Sequence, residues 1–155
     1  MERFVKLRIY AFAVSALTLT ACSSVTITNY IKDENPYKKA FGRNFNQLLE
    51  ASTRALMDSG WTIAETTDPA IFERQRVIDD ENIKQLLLVT EIRHTALILG
   101  SRYARVNIFL KTISENSTEV EIRYFSVTTI PFKSFQSFKK DKIVNKLFTK
   151  IESNL

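Results

Sequence analysis

Three runs of strand-forming residues, KQLLLVTEIRHTALIL (84–99), YARVNIFLKTIS (103–114) and TEVEIRYFSVTTI (118–130), follow one another with little between them. In the second, Val106, Ile108 and Leu110 share a face; in the third, Val120, Ile122 and Tyr124 do. An alternation this long suits a half-buried antiparallel sheet, whose apolar face needs a second layer. SENST, between the last two runs, is a tight-turn signal.

The second layer is legible on either side. From Tyr37 to Ser59, Phe41, Phe45, Leu48, Leu49, Ala55 and Leu56 recur at helical spacing, and Gly60 is placed to end the helix. From about Lys139, the residues Ile143, Val144, Leu147, Phe148, Ile151 and Leu155 make a second apolar stripe. Between the first helix and the long runs, Trp61 and Ile63 open a short strand, Asp68-Pro69 makes a turn, AIFERQRVI (70–78) alternates as another strand, and DDEN (79–82) reads as a hairpin loop. The expectation is a two-layer α+β domain over residues 38–155: an antiparallel four- to five-stranded meander, with an N-terminal and a C-terminal helix on one sheet face.

Ahead of this domain stands a different kind of sequence. Arg3, Lys6 and Arg8 precede thirteen uncharged residues, Ile9 to Ala21. This run falls short of the roughly 20 apolar residues needed to span a bilayer and reads as an export signal over residues 1–21. It ends in Leu19-Thr20-Ala21-Cys22, which resembles the lipobox of bacterial lipoprotein precursors. That resemblance implies cleavage between Ala21 and Cys22, a diacylglycerol on the Cys22 sulfur and an acylated amino group. Several acyl chains, at about 0.8 kcal/mol per buried methylene, anchor a protein stably in a membrane. By the sorting rule of Gram-negative lipoproteins, Ser23 implies an outer-membrane anchor facing the periplasm. Residues 22–37 then read as a lipidated tether, with VTITNYI (25–31) a possible edge strand.

Residues 1–21 hold three of the 22 basic and one of the 17 acidic residues, so a chain starting at Cys22 carries +3. Such a chain is one domain long, and without a second cysteine it relies on its core for stability. In element order, residues 39–155 resemble small periplasmic lipoprotein domains of the helix-grip type. The C-terminal domains of a lipoprotein component of the β-barrel assembly machinery are one example. The resemblance rests on FNQLLEASTRALMDSGWTIAETTDPAIFERQRV and KIVNKLFTKIESNL, and it brings no catalytic motif.

Reactive constellations are not visible. His94 is the single histidine, without metal-ligand spacing or a G-x-S-x-G turn, and reads as a strand-edge or surface residue. Asp79, Asp80 and Glu81 lack the glycine and spaced acids of a calcium loop. Glu50, Glu65 and Glu91 show no pairing suited to acid–base work, and no glycine-rich phosphate loop is present. Catalytic residues, metal ligands and cofactors are therefore not assigned.

The remaining candidate is IPFKSFQSFKK (130–140), in which Phe132, Phe135 and Phe138 are interleaved with Lys133, Lys139 and Lys140, followed by a lysine row at Lys142, Lys146 and Lys150. Such a segment suits a lipid interface or a protein groove; for an exported protein nucleic acid is a poor match. The opposing reading puts the phenylalanines in the core, where large aromatics usually go, and leaves the lysines as a solvated face. The sequence thus points to a non-enzymatic envelope lipoprotein with a protein partner in assembly or structural support. The alternative is a carrier holding a lipid or another apolar ligand between sheet and helices. Cys22→Ser is expected to abolish labelling of the protein by radioactive fatty acid; undiminished labelling would end the lipoprotein reading.

Overall fold

The computed structural model describes residues 25–77 and 83–155. The export signal, the lipobox with Cys22 and the acidic DDEN segment lie outside the described residues. The elements run β1 (Tyr37–Phe41), α1 (Phe45–Asp58), β2 (Ile63–Thr67), 3-10 turns at Pro69–Ile71 and Arg74–Arg76, β3 (Gln85–Thr90), β4 (Arg93–Leu97), β5 (Gly100–Ser114), β6 (Ser117–Ile130), β7 (Lys133–Ser137) and α2 (Asp141–Ser153). The fold is α+β, with an antiparallel sheet and both helices packed on one face.

Strand length decides the sheet. β5 and β6 have 15 and 14 residues, about 50 Å each at strand rise, and pair along nearly their whole length. Among the described residues no other strand is half as long, so the space beside them is shared. The main path is β1-β6-β5-β3-β2, with β4 continuing alongside β5 beyond β3, and β7 alongside β6 beyond β1. The single run expected at 84–99 is thus two strands. The break has a local cause: the buried Thr90 hydroxyl accepts the Val106 N–H at 3.0 Å, while the Glu91 N–H turns to the Thr62 carbonyl at 2.9 Å.

One core fills the space between sheet and helices. Val106, Ile108, Leu110, Val120 and Ile122 are fully buried against Leu48, Ala55, Leu56, Val144 and Ile151, as the alternation and the two stripes require. The ends of α1 are closed by side chains. Asn44 Oδ1 accepts the Gln47 N–H at 3.0 Å, and Gly60 takes the left-handed φ of 74° that follows a helix end. Arg93 Nη1 donates to the Ser59 carbonyl at 3.2 Å and Lys150 Nζ to that of Asp58 at 3.0 Å, two cations at the negative end of the helix dipole.

Three local expectations differ. Residues 37–41 form a strand on β6 rather than the first turns of α1, since alternation also puts Tyr37, Lys39 and Phe41 on one side. There Tyr37 bonds Asp141, Lys39 pairs with Glu152, and Phe41 packs on Phe148, fastening β1 to α2. The described part of AIFERQRVI, residues 70–77, takes part in two 3-10 turns rather than a strand. Pro69 has no N–H to give a ladder, Asp68 Oδ1 caps the Ala70 N–H at 2.8 Å, and the apolar Ile71 and Val77 stand exposed. VTITNYI joins no ladder; it lies across the second face of the sheet, where Ile27 and Ile31 are buried.

Gly100, at the turn between β4 and β5, presses against the neighbouring hairpin. A Cβ there would stand 1.8 Å from the Thr129 carbonyl oxygen, and its φ of 149° disfavours a side chain independently. Gly100→Ala is expected to destabilise the protein by more than about 1 kcal/mol in a denaturant melt, well beyond an ordinary surface substitution.

Candidate functional site

The sheet face away from the helices is built from charge. Alternation puts Arg105, Asn107 and Phe109 of β5 and Glu121 and Arg123 of β6 on that side, and all five are buried. Arg123 Nε donates to Glu121 Oε1 at 2.6 Å and its Nη1 to Glu73 Oε1 at 3.1 Å. Arg76 Nη2 reaches both Glu121 oxygens, at 3.1 and 3.0 Å, and its Nε bonds Glu73. Two carboxylates and two guanidiniums thus close a ring, with Lys38 Nζ a further cation 3.3 Å from Glu121 Oε2. Both guanidiniums lie over the Phe109 ring, 4.5 Å (Arg76) and 4.3 Å (Arg123) from its centroid.

The same groups hold the chain that crosses this face. Arg123 Nη1 donates to the Ile31 carbonyl and to the Tyr30 hydroxyl, each at 2.8 Å. The Asn107 side chain accepts from the Ile31 N–H at 2.9 Å and donates to the Asn29 carbonyl at 3.2 Å. Arg105 Nη1 donates to Asn29 Oδ1 at 2.7 Å, while its Nε has no partner among the described residues. Tyr30 stacks on Phe72 and meets Phe109 edge-on, joining segment, turns and sheet.

The electrostatics follow the geometry. Burial alone would raise the Glu73 carboxyl, but hydrogen bonds from Tyr30, Arg76 and Arg123 outweigh it and hold the group at about 2. Burial likewise opposes ionisation of Glu121, and its two arginines again win, lowering its pKa. Burial and the adjacent Glu73 push the Tyr30 phenol up to about 12. Arg105, without a carboxylate beside it, is lowered by burial. A ring this fully paired locks structure and offers no free acid or base.

The sequence-derived surface residues are divided by the structure. Phe132 and Lys133 lie at the β6–β7 turn and Phe135 on β7, all exposed, so the core reading of these phenylalanines fails for Phe132 and Phe135. The core beneath β6 is already filled from the helices, which leaves β7 uncovered. Phe138 is 40% exposed, with its ring 4.7 Å from that of Phe125. Lys142 and Lys146 project from α2 into solvent, whereas Lys150 is half-buried and caps α1. The lysine row therefore does not act as a unit.

What joins the phenylalanines is a feature missed in the sequence. β4 and β7 flank β5 and β6, and the pairs Leu97–Gly100, Ser101–Thr129 and Ile130–Lys133 set both hairpin tips side by side. Ile98 and Leu99 occupy one tip and Phe132 the other, 102%, 71% and 106% exposed. The available signal was LIL ahead of Gly100, hidden inside a run that reads as one strand. β4 is exposed along its length and β7 nearly so, forming a bare four-stranded lobe.

Elsewhere the chemistry is sparse. His94 lies on exposed β4, stacked on Tyr103 and 3.0 Å from Ser101 Oγ. A cleft of about 440 Å3 beside the Asp68 turn is lined by Phe45, Ala70, Val77 and Ile83 together with Asp68, Lys84 and Gln85. It lies at the flank rather than between sheet and helices. Among the described residues, no three His, Cys, Asp or Glu side chains are grouped to hold a metal, and no helix is long and apolar enough to cross a membrane. No protein-family model and no curated protein matches the chain.

Glu121→Gln breaks the ring and leaves the buried Arg123 short of a carboxylate, with Arg76 half-buried beside it, and is expected to cost about 3–5 kcal/mol in a denaturant melt. Because Glu73 and Glu121 titrate lower when folded than when unfolded, the stability they contribute is complete above about pH 4.5. It is lost as pH falls toward about 2, a loss that Glu121→Gln should reduce. Phe135→Ala is expected to change stability by no more than about 0.5 kcal/mol, against about 3–5 kcal/mol for the buried Phe109→Ala.

Proposed function

We propose that this is a lipid-anchored, non-enzymatic lipoprotein of the bacterial envelope, fixed to the outer membrane through Cys22, whose periplasmic domain engages another envelope protein in assembly or structural support. The single observation that carries the binding-module reading is the bare lobe of β4 to β7. A four-stranded sheet extension with both outer strands uncovered is an unfinished surface, and such edges mark contact sites. Among the described residues the outer edge of β7 pairs with no strand, which leaves it able to take one from a partner. The lipobox supplies the envelope address and the acyl anchor.

Two features favour this over a carrier or an enzyme. The space between sheet and helices, where an apolar ligand would sit, is filled by fully buried side chains such as Leu48, Leu56, Ile108 and Ile122. The two carboxylates with lowered pKa, Glu73 and Glu121, are paired with arginines in a structural ring rather than aimed into a cleft. A photo-crosslinker replacing Gln136 on β7 in living cells is expected to capture one reproducible envelope protein, which the same probe at Met57 on α1 does not. Identical products from both positions would overturn the assignment of the lobe, and gentle purification yielding a stoichiometric apolar ligand would favour the carrier.

A further inference from the structure

The two hairpin tips, the charge of the lobe and the path of the N-terminal segment converge on one end of the molecule. We infer that the tips carrying Ile98, Leu99 and Phe132 seat in the surface of the anionic membrane to which the chain is anchored, so that the domain is held against the bilayer instead of swinging from its tether. This rests on the reading of Cys22 as the lipid anchor and adds to it an orientation and a second point of attachment.

Three independent observations carry it. First, the tips present large apolar side chains that touch little of the protein, with Ile130 and Leu97 39% and 37% exposed behind them. Side chains of this size entering the headgroup and acyl boundary by about 5–10 Å are how peripheral proteins hold a membrane. Second, residues 92–114 and 122–140, within which the whole lobe lies, contain no Asp or Glu among the chain's 17. Of the cations in these stretches, Arg102 and Lys133 stand nearest the tips and Lys139 and Lys140 follow β7, whereas Arg93 is turned to the end of α1; the field is one-signed and suited to anionic headgroups.

Third, the chain leads there. Ile31 is held at Asn107 and Arg123, and Asn29, two residues earlier, at Arg105, so going back along the chain moves along β5 toward Gly100. From Arg105 to Gly100 is about 17 Å of strand. Cys22 stands seven residues before Asn29 and can lie up to about 25 Å from it. That reach is long enough for an anchor at Cys22 and the tips to enter the same bilayer.

The test uses the full-length lipoprotein in vesicles of phosphatidylethanolamine and phosphatidylglycerol doped with brominated lipid. Phe132→Trp and, separately, Leu99→Trp report on the tips, and Met57→Trp, exposed on α1, reports on a distant face; Trp61 is buried and common to all three. The expected result is quenching of the added indole at 132 and at 99 at least about twofold stronger than at 57, as interfacial insertion requires. It should weaken when phosphatidylglycerol is replaced by phosphatidylcholine. Equal quenching at all three positions, or quenching at the tips that ignores lipid charge, overturns the inference. Fatty-acid labelling is scored on the same preparations. A labelled protein without tip quenching removes this inference alone, and an unlabelled chain with tip quenching removes the anchor while leaving the tips in the membrane.

Discussion

Glu73, Arg76, Glu121 and Arg123 form the interaction on which the rest of the molecule depends. An antiparallel sheet with helices on one face leaves its other face to water unless something covers it. Here the covering is short and irregular, two 3-10 turns and the stretch from Ile27 to Ile31, neither able to bury much apolar surface. What holds them is the ring: Glu73 and Arg76 from the turns meet Glu121 and Arg123 from β6, and Arg123 reaches on to the backbone of Ile31. With each carboxylate paired to both guanidiniums and the guanidiniums lying over Phe109, the cost of burying ions is offset by hydrogen bonds and by contact with the ring face. The two faces therefore solve the same problem by different physics, helices and aliphatic packing on one side, paired ions and aromatics on the other.

The coverage stops part of the way along β5 and β6. Those strands exceed every other described element in length along the chain axis, so their far ends, paired with each other, are flanked by β4 and β7 alone among the described strands. This makes the lobe, and it concentrates at one end of the protein its bare apolar side chains and a stretch of sequence without acids. The segment tied down by Arg123, Asn107 and Arg105 runs toward that same end. The structural ring, the exposed lobe and the segment from Ile31 back to Asn29, which runs along β5 toward that lobe, thus form one arrangement.

Much of the fold was legible because period is a local property. The stripes of α1 and α2 and the alternation at 106–110 and 120–124 gave their elements and their buried faces directly. Where expectation and structure part, two periods or two partners compete. Tyr37, Phe41 and Phe45 fit a helical spacing, yet Tyr37 and Phe41 equally share one side of a strand. AIFERQRVI alternates as a strand would, but Glu73 and Arg76, three apart, must both turn to β6, which a strand would place on opposite faces. Phe132 and Phe135 have the composition of core residues and stay outside because the helices have already filled the core.

By itself, the sequence determined the α+β class, the two helices, the strands that carry the core and, through Leu19 to Cys22, the expectation of a lipid anchor. Each is written in neighbouring residues, by spacing or by a short motif. Only the tertiary structure decided that Glu73 and Arg76 pair with Glu121 and Arg123, some 45 to 50 residues away in sequence, that the chain before β1 lies on the sheet, and that Ile98 and Phe132 stand side by side in solvent. The physical reason is that charge pairing and exposure depend on which distant elements arrive, and on how much surface the helices have left to cover.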